Sequence, residues 1–225
     1  MKENQDKKIF YKRIGMTVFG VVLNGASVGF FRLAAFGVDP FQSLMSGLDF
    51  AVPLRFGTLY VVANIFLLMF GLFADRHYIG LGTMINLFLL GYIVEFSHSF
   101  LIRAFPAPSL GFRIVSFLIG VGVMCFSSAF YFTADMGVST YDAVALILAN
   151  KWHVGRFKFI RIITDFVCVA AGCGLYLISG GELSKLLQIA GIGTVITAFF
   201  MGPLIDFFNR QAAEPFLYGE RKEKR

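Results

Sequence analysis

Charge is what this sequence has least of. Only 15% of its 225 residues are Asp, Glu, Lys or Arg, against about a quarter in an ordinary soluble domain. That leaves too little polar surface to solvate a globular fold. Cysteine is also scarce. Cys125, Cys168 and Cys173 all sit inside apolar stretches without the spacing of a metal site, so they read as small core residues. No Walker-type motif is visible, so any active transport would draw on an ion gradient or a partner ATPase. No nucleophile–base set and no cluster of metal ligands stands out. Glu95 and His98 share a helical face, but a single Glu-x-x-His pair does not make a metal site. The expectation is therefore a protein that is not an enzyme and that carries no cofactor and no metal.

What is present is apolar. Hydrophobic residues make up 57% of the chain, Phe alone contributes 28, and the mean hydropathy is +0.72. The apolar residues fall into blocks near 14–36, 57–74, 79–102, 114–134, 159–179 and 186–208. A helix needs about 20 such residues to cross a bilayer. The basic start "MKENQDKKIFYKR" precedes a block too long for a signal peptide and without a clear cleavage pattern, so that block reads as the first span. The reading is an all-α integral membrane protein with six main transmembrane helices. It forms a single membrane domain over 1–225, with basic tails at 1–13 and 210–225 on the cytoplasmic side.

The distribution of Lys and Arg agrees. Five precede the first span, four (Lys151, Arg156, Lys158 and Arg161) surround the start of the fifth, and five follow the sixth. With both termini inside, these and Arg76 account for 15 of the 20 basic residues, as the positive-inside rule asks. Topology explains the basic runs, so no nucleic-acid partner is called for. Trp152 reads as an interface anchor, and His77 and His153 as surface residues.

The chain also repeats itself. "GLGTMINLFLLGYIVEF" at 80–96 and "GIGTVITAFFMGPLIDF" at 191–207 match at seven of seventeen positions, each ending near a lone acid, Glu95 or Asp206. "FGVDPFQSL" at 36–44 answers "MGVSTYDAV" at 136–144. Two units follow, at about 14–104 and 112–209, each with three spans, a GV turn and a short helix near 40–52 or 140–151. Asp39 and Ser139 are placed to N-cap those helices, with Gln42 and Asp142 at N3 completing capping boxes. Gly37 and Gly137 permit the turns, and the glycines of the GxGT segments (Gly80, Gly82, Gly191 and Gly193) permit close packing. Thirteen residues rise only about 20 Å, so the short helices are interfacial or re-entrant, and an odd three spans per unit inverts the second copy. Full crossings would instead give eight spans and parallel copies, which the basic residues do not exclude.

Ionisable and amide side chains inside a bilayer are costly and face the bundle interior or an interface. Asn24 and Asn64 come closest to the middle of their spans and are candidates to line a path. Glu95 and Asp206 lie toward the ends of theirs. Inverted copies would group "GVDPFQ", Glu95 and the "GIGT" helix start on one face, and "GVSTYD", Asp206 and the "GLGT" start on the other. Each group is a candidate gate, with Thr83 and Thr194 as its reporters. Asp165 pairs with Arg161 one turn earlier, and Arg32 snorkels to the outer surface.

"GVSTYDA", "GIGTVITAFFMGPLIDFF", "FGVDPF" and "GLGTMINLFLLG" resemble the YczE/YyaS/YitT group of bacterial membrane proteins over about 12–209. Thr140 and Tyr141 depart from the Pro and Trp usual in that turn, whereas Pro40 is retained. The resemblance implies a multi-pass protein of the bacterial inner membrane. Internal symmetry with polar turns points to a small-solute transporter. The alternative is a non-transporting accessory or regulatory protein, or a substrate-capturing subunit of a larger transporter. The partners expected are the lipid bilayer, a small solute, and a second copy or another membrane protein.

Overall fold

The computed structural model describes the backbone of residues 2–155 and 157–219 and the side chains of 7–155 and 159–219. Arg156, Arg221, Lys222, Lys224 and Arg225, counted above toward topology, lie outside the described residues, as do the side chains of Lys2 and Lys158. The described chain is helical: α1 (Lys2–Ala34), α2 (Pro40–Ala51), α3 (Phe56–Ala74), α4 (Leu81–Ala104), α5 (Leu110–Ala134), α6 (Thr140–Leu146), α7 (Phe157–Ile178), α8 (Leu186–Ile189), α9 (Ile192–Phe208) and α10 (Glu214–Tyr218). A π-helical turn, Ile147–Lys151, extends α6, and another, Asn209–Ala213, joins α9 to α10. Six helical segments, formed by α1, α3, α4, α5, α7 and the stretch containing α9, are long and apolar enough to cross a membrane. Many of their large apolar side chains, such as Phe66, Phe73, Phe96, Phe166 and Phe199, face outward, as suits lipid rather than water.

The centre of the bundle is the pair α1 and α5, and contacts along their length show them to be antiparallel. Arg13 pairs with Asp135 at 3.4 Å, the Phe19 and Phe130 rings lie 5.5 Å apart, Asn24 donates to Ser128 at 3.3 Å, and Phe31 meets Phe117 at 5.5 Å. At the far end Arg113 donates to the carbonyls of Ala34 and Ala35, at 2.7 and 3.1 Å. These two guanidinium bonds satisfy carbonyls left free where α1 stops.

The short helices α2 and α6 start in the middle of the protein and run outward in opposite directions. Their first aromatic residues, Phe41 and Tyr141, are stacked with ring centroids 5.0 Å apart. From there α2 follows α7, with Gly47 against Gly172 and Phe50 at 4.6 Å from Tyr176. The other, α6, follows α3: Thr140 donates to Asn64 at its start, and Lys151 reaches the carbonyl of Ala74 at its end. Twelve residues of helix cover about 18 Å, so α2 is too short to cross a bilayer core of about 30 Å by itself.

Each short helix is reached through an extended turn that lies across the start of a distant helix. Gly193 N donates to Phe36 O at 2.7 Å and Val38 N to Ile189 O at 3.4 Å. In the other turn Gly82 N donates to Met136 O at 2.7 Å and Val138 N to Tyr78 O at 3.1 Å. Non-helical backbone at membrane depth has to be satisfied by protein, and these bonds supply that. Gly37 and Gly137 have φ of +98° and +103°, a region open to glycine at little cost.

Two expectations change here. Residues 210–218 are not a free tail, because they are helical and bury Ala213 and Leu217 against Met16, Ala129 and Phe130. Arg32 does not snorkel. Its guanidinium lies 3.9 Å over the Phe56 ring, with Nε and Nη2 buried and unpartnered.

Ser97 at the α1 C-terminal end donates to Ala26 O at 3.1 Å, whereas Asn209 accepts from Thr133 at 2.7 Å beside the α1 start. Single cysteines at Ser99 and Asn209, in a background lacking the native three, are therefore expected to react with an impermeant thiol reagent from opposite sides of the membrane. Labelling of both from one side would contradict the antiparallel arrangement.

Candidate functional site

A cavity of about 370 Å³ lies where α2 and α6 begin. The local sequence explains why polar groups collect there. Asp39 Oδ1 accepts from Gln42 N at 3.2 Å and Ser139 Oγ from Asp142 N at 3.1 Å, so both short helices carry N-caps. The second half of the expected capping boxes is missing: Gln42 and Asp142 do not reach back to the cap N–H groups. Asp142 accepts from the Ser139 hydroxyl at 2.6 Å and pairs with Arg161, while Gln42 Oε1 has no partner. Both N3 residues line the cavity, Asp142 held there by the Ser139 hydroxyl and Arg161.

Arg161 and Asp165, one turn apart on α7, complete this wall. Arg161 holds Asp142 and Asp165 together, the latter at 3.2 Å, and its guanidinium lies 4.5 Å over the Tyr141 ring. The Tyr141 hydroxyl donates to Asp165 at 2.5 Å. The opposite wall is made of amides and hydroxyls. Asn64, 1% exposed, donates to Tyr60 O at 2.8 Å and accepts from Thr140, and Tyr60 donates to Asn86 at 3.3 Å. Asn24 and Ser128 close the side toward α1 and α5, and Tyr131 contributes a buried hydroxyl with no partner.

The cavity is not centred between its two flanking helices. The α4 wall is short, Asn86 and Leu90, whereas α9 contributes Thr197, Ala198, Met201, Gly202 and Ile205. The space thus extends along α9 and past Phe132 of α5 toward the face where α1 begins. Gly91 of α4 is packed so closely that an added Cβ would lie 2.5 Å from Tyr60 Cβ; at Gly202 of α9 nothing lies within 4 Å.

Of the residues singled out in the sequence, Asn24, Asp39, Gln42, Asn64, Ser139 and Asp142 share this cavity. Thr83 and Thr194 do not. They are buried beneath the extended turns, where Thr83 accepts from Gly80 N at 3.1 Å and donates to Val138 O at 2.6 Å, and Thr194 accepts from Gly191 N at 3.3 Å. Each GxGT helix start is thereby tied to the GV turn of the other half of the chain. The two acids are elsewhere. Glu95 accepts from Gly57 N at 3.1 Å and pairs with Arg55 at 2.9 Å, which caps α3. Asp206 pairs with Arg210 one turn later at 2.9 Å. Neither joins a turn cluster, because each finds a closer unpaired N–H or guanidinium on its own side. Among the described residues no group of three or more His, Cys, Asp or Glu side chains could hold a metal ion.

Sequence reasoning took Arg161 and Asp165 for a structural pair, weighed Asn86 with Asn24 and Asn64 as an amide within a span without carrying it forward as a site residue, and gave no site role to Tyr141 or Tyr131. The signal was a salt bridge in an apolar span, one turn from a helix start rich in capping residues.

Six apolar helices around a polar, partly enclosed core define a multi-span membrane protein. Residues 11–210 match the family of unknown function DUF6198, and the chain belongs to that family. It is also similar to an uncharacterised protein of Haemophilus influenzae, 23% identical over 199 residues, covering 88% of this chain and 84% of the relative. No solved structure matches.

Proposed function

We infer that this protein is a small-solute transporter of the bacterial inner membrane, with both termini cytoplasmic, working by alternating access between two inverted three-helix repeats. Transport, rather than enzymatic turnover, is the activity assigned. The resemblance of its turns to the YczE/YyaS/YitT group and the placement of its basic residues support the location. The antiparallel pairing of α1 with α5 and the exchange of GV turns between halves support inverted symmetry. Half-helices whose starts meet at a cavity between such repeats are a recurrent transporter arrangement.

The observation that carries the reading is the unequal treatment of matched helices. On this symmetry α4 and α9 are counterparts, Gly91 answers Gly202, and Val94 answers Ile205. The α4 side is sealed, with Val94 fully buried, while the α9 side is open to the cavity. A symmetric fold with one closed and one open wall is one of two equivalent states, and exchanging the walls would move the opening to the other face. The GV-turn braces stay closed in this scheme and act as fixed helix-end supports.

The test is reconstitution of the pure protein into liposomes with an untargeted screen of solute uptake. A cysteine at Ile205 should react from the face where α1 begins and one at Val94 should not. An accumulated solute should lower the first and raise the second, since it shifts populations between states. No accumulation above empty liposomes, together with a Val94 cysteine that never reacts, would refute transport. Stable co-purification with another membrane protein would then favour the accessory reading.

A further inference from the structure

The chemistry of the cavity narrows what it holds, and this inference rests on the transport reading only for its site. Three carboxyl groups and one guanidinium line it: Asp39, Asp142, Asp165 and Arg161. Arg161 is shared by Asp142 and Asp165. Among the described residues no lysine or arginine forms an ion pair with Asp39. With these groups charged the lining is negative, and although Arg161 and the buried Arg32 behind the wall both act on Asp39, three carboxylates against two guanidinium groups leave one negative charge over. Uncompensated charge away from bulk water is costly, so a bound cation is the natural complement.

The neutral groups point the same way. Gln42, 3% exposed, presents an amide oxygen without a donor, and Tyr131, 6% exposed, presents a hydroxyl without a partner. Both line the cavity. An amide oxygen can only accept, and a buried acceptor left unmatched is destabilising, so the missing piece is a hydrogen-bond donor. The helix starts are poor anion sites, because the N–H groups of Gln42 and Asp142 are already taken by Asp39 and Ser139. The rings of Phe41, Tyr60 and Tyr131 also line the cavity, and aromatic rings attract a cation.

Size separates an organic from an inorganic cation. A volume of about 370 Å³ sits at the low end for small-molecule pockets and far exceeds a bare ion, whose oxygen ligands must close to about 2.0–2.6 Å. We propose that the cavity binds a small organic ammonium ion, with its N–H donors directed at Asp39, Gln42 and Tyr131 and its carbon skeleton against the aromatic wall.

The experiment uses the full chain in detergent and three probes, methylammonium, ethanolammonium and tetramethylammonium chlorides, with sodium acetate, sodium glycolate and sodium chloride as matched controls. At least one ammonium probe should raise the melting temperature saturably and give a calorimetric binding isotherm, and the controls should do neither. Asp39→Asn should weaken that binding about ten-fold or more, the loss of one charge-assisted contact. Tyr131→Phe removes a single hydroxyl at constant shape and should weaken the protonated amines about three-fold, leaving tetramethylammonium, which has no N–H, unchanged. It serves as the decisive variant if Asp39→Asn does not fold. Saturable stabilisation by acetate or glycolate, an equal effect of sodium chloride, or no response to any ammonium probe would each overturn the proposal. Ammonium binding without uptake into liposomes would leave the ligand class standing and remove the transport reading. Uptake of another solute that no ammonium ion inhibits would do the reverse.

Discussion

Replacing Arg161 by leucine should destabilise the protein by on the order of 3 kcal/mol, the cost of stripping a partly buried ion network of its shared cation. The reason is geometric. Arg161 is held by both Asp142 and Asp165, whose side chains are 19% and 18% exposed, and its guanidinium covers Tyr141 at 4.5 Å. Without it two carboxylates face each other across the start of α6, and the Tyr141 hydroxyl loses the pairing that orients its acceptor. The Arg161 side chain is 33% exposed, so solvent screening places the expected loss at the low end of the range for buried pairs. The control is the same substitution in an Asp142→Asn, Asp165→Asn background. There the charges are already gone, and the further loss should fall to about 1 kcal/mol or less, because neighbouring sites couple. Unfolding titrations in mixed micelles measure both. Equal losses in the two backgrounds would show that the network holds nothing together.

The second large effect is expected at the turns. Gly37→Ala and Gly137→Ala should each cost on the order of 3 kcal/mol, in two parts. The first is backbone strain, since φ is +98° and +103° and an L-residue there meets its own carbonyl, at about 1–2 kcal/mol. The second is crowding: an added Cβ would lie 2.5 Å from Gly191 N in one turn and 2.6 Å from Gly80 N in the other. These neighbours are backbone and cannot swing aside as a side chain would. Gly180→Ala separates the parts. Gly180 has φ of +89° with nothing within 4 Å, so only the strain remains, and the loss should be about 1 kcal/mol. A similar loss at all three positions would mean that the close approach of turn and helix start contributes nothing.

Much of the fold was legible in the sequence because its signals are local. An apolar block long enough to cross a bilayer is a helix wherever it packs, since no other element satisfies its own backbone in lipid. The N-caps at Asp39 and Ser139 act over three residues, and the helices they start appear where the cap chemistry placed them. The extents of the short helices followed from length, since about 18 Å of helix does not cross a bilayer. Glycine at 37 and 137 announced a turn before any contact was known.

What only the tertiary structure decided is which side chains meet. Periodicity gives little help within a membrane span, because the face toward lipid is as apolar as the face toward protein. The rotation of α7, and with it the placing of Arg161 and Asp165 on the cavity, is set by Gly172 fitting against Ser43 and Gly47 of α2, a contact between residues far apart in the chain. The same holds for the acids that close the two similar segments. Glu95 and Asp206 occupy matching places in sequence, yet one caps α3 and the other pairs with Arg210, because a carboxylate takes the nearest unpaired donor and that donor belongs to the fold. The two GV turns were visible as turns, but their docking on the helix starts of the opposite half arose from backbone groups with no partner of their own, which in a bilayer must be met by protein.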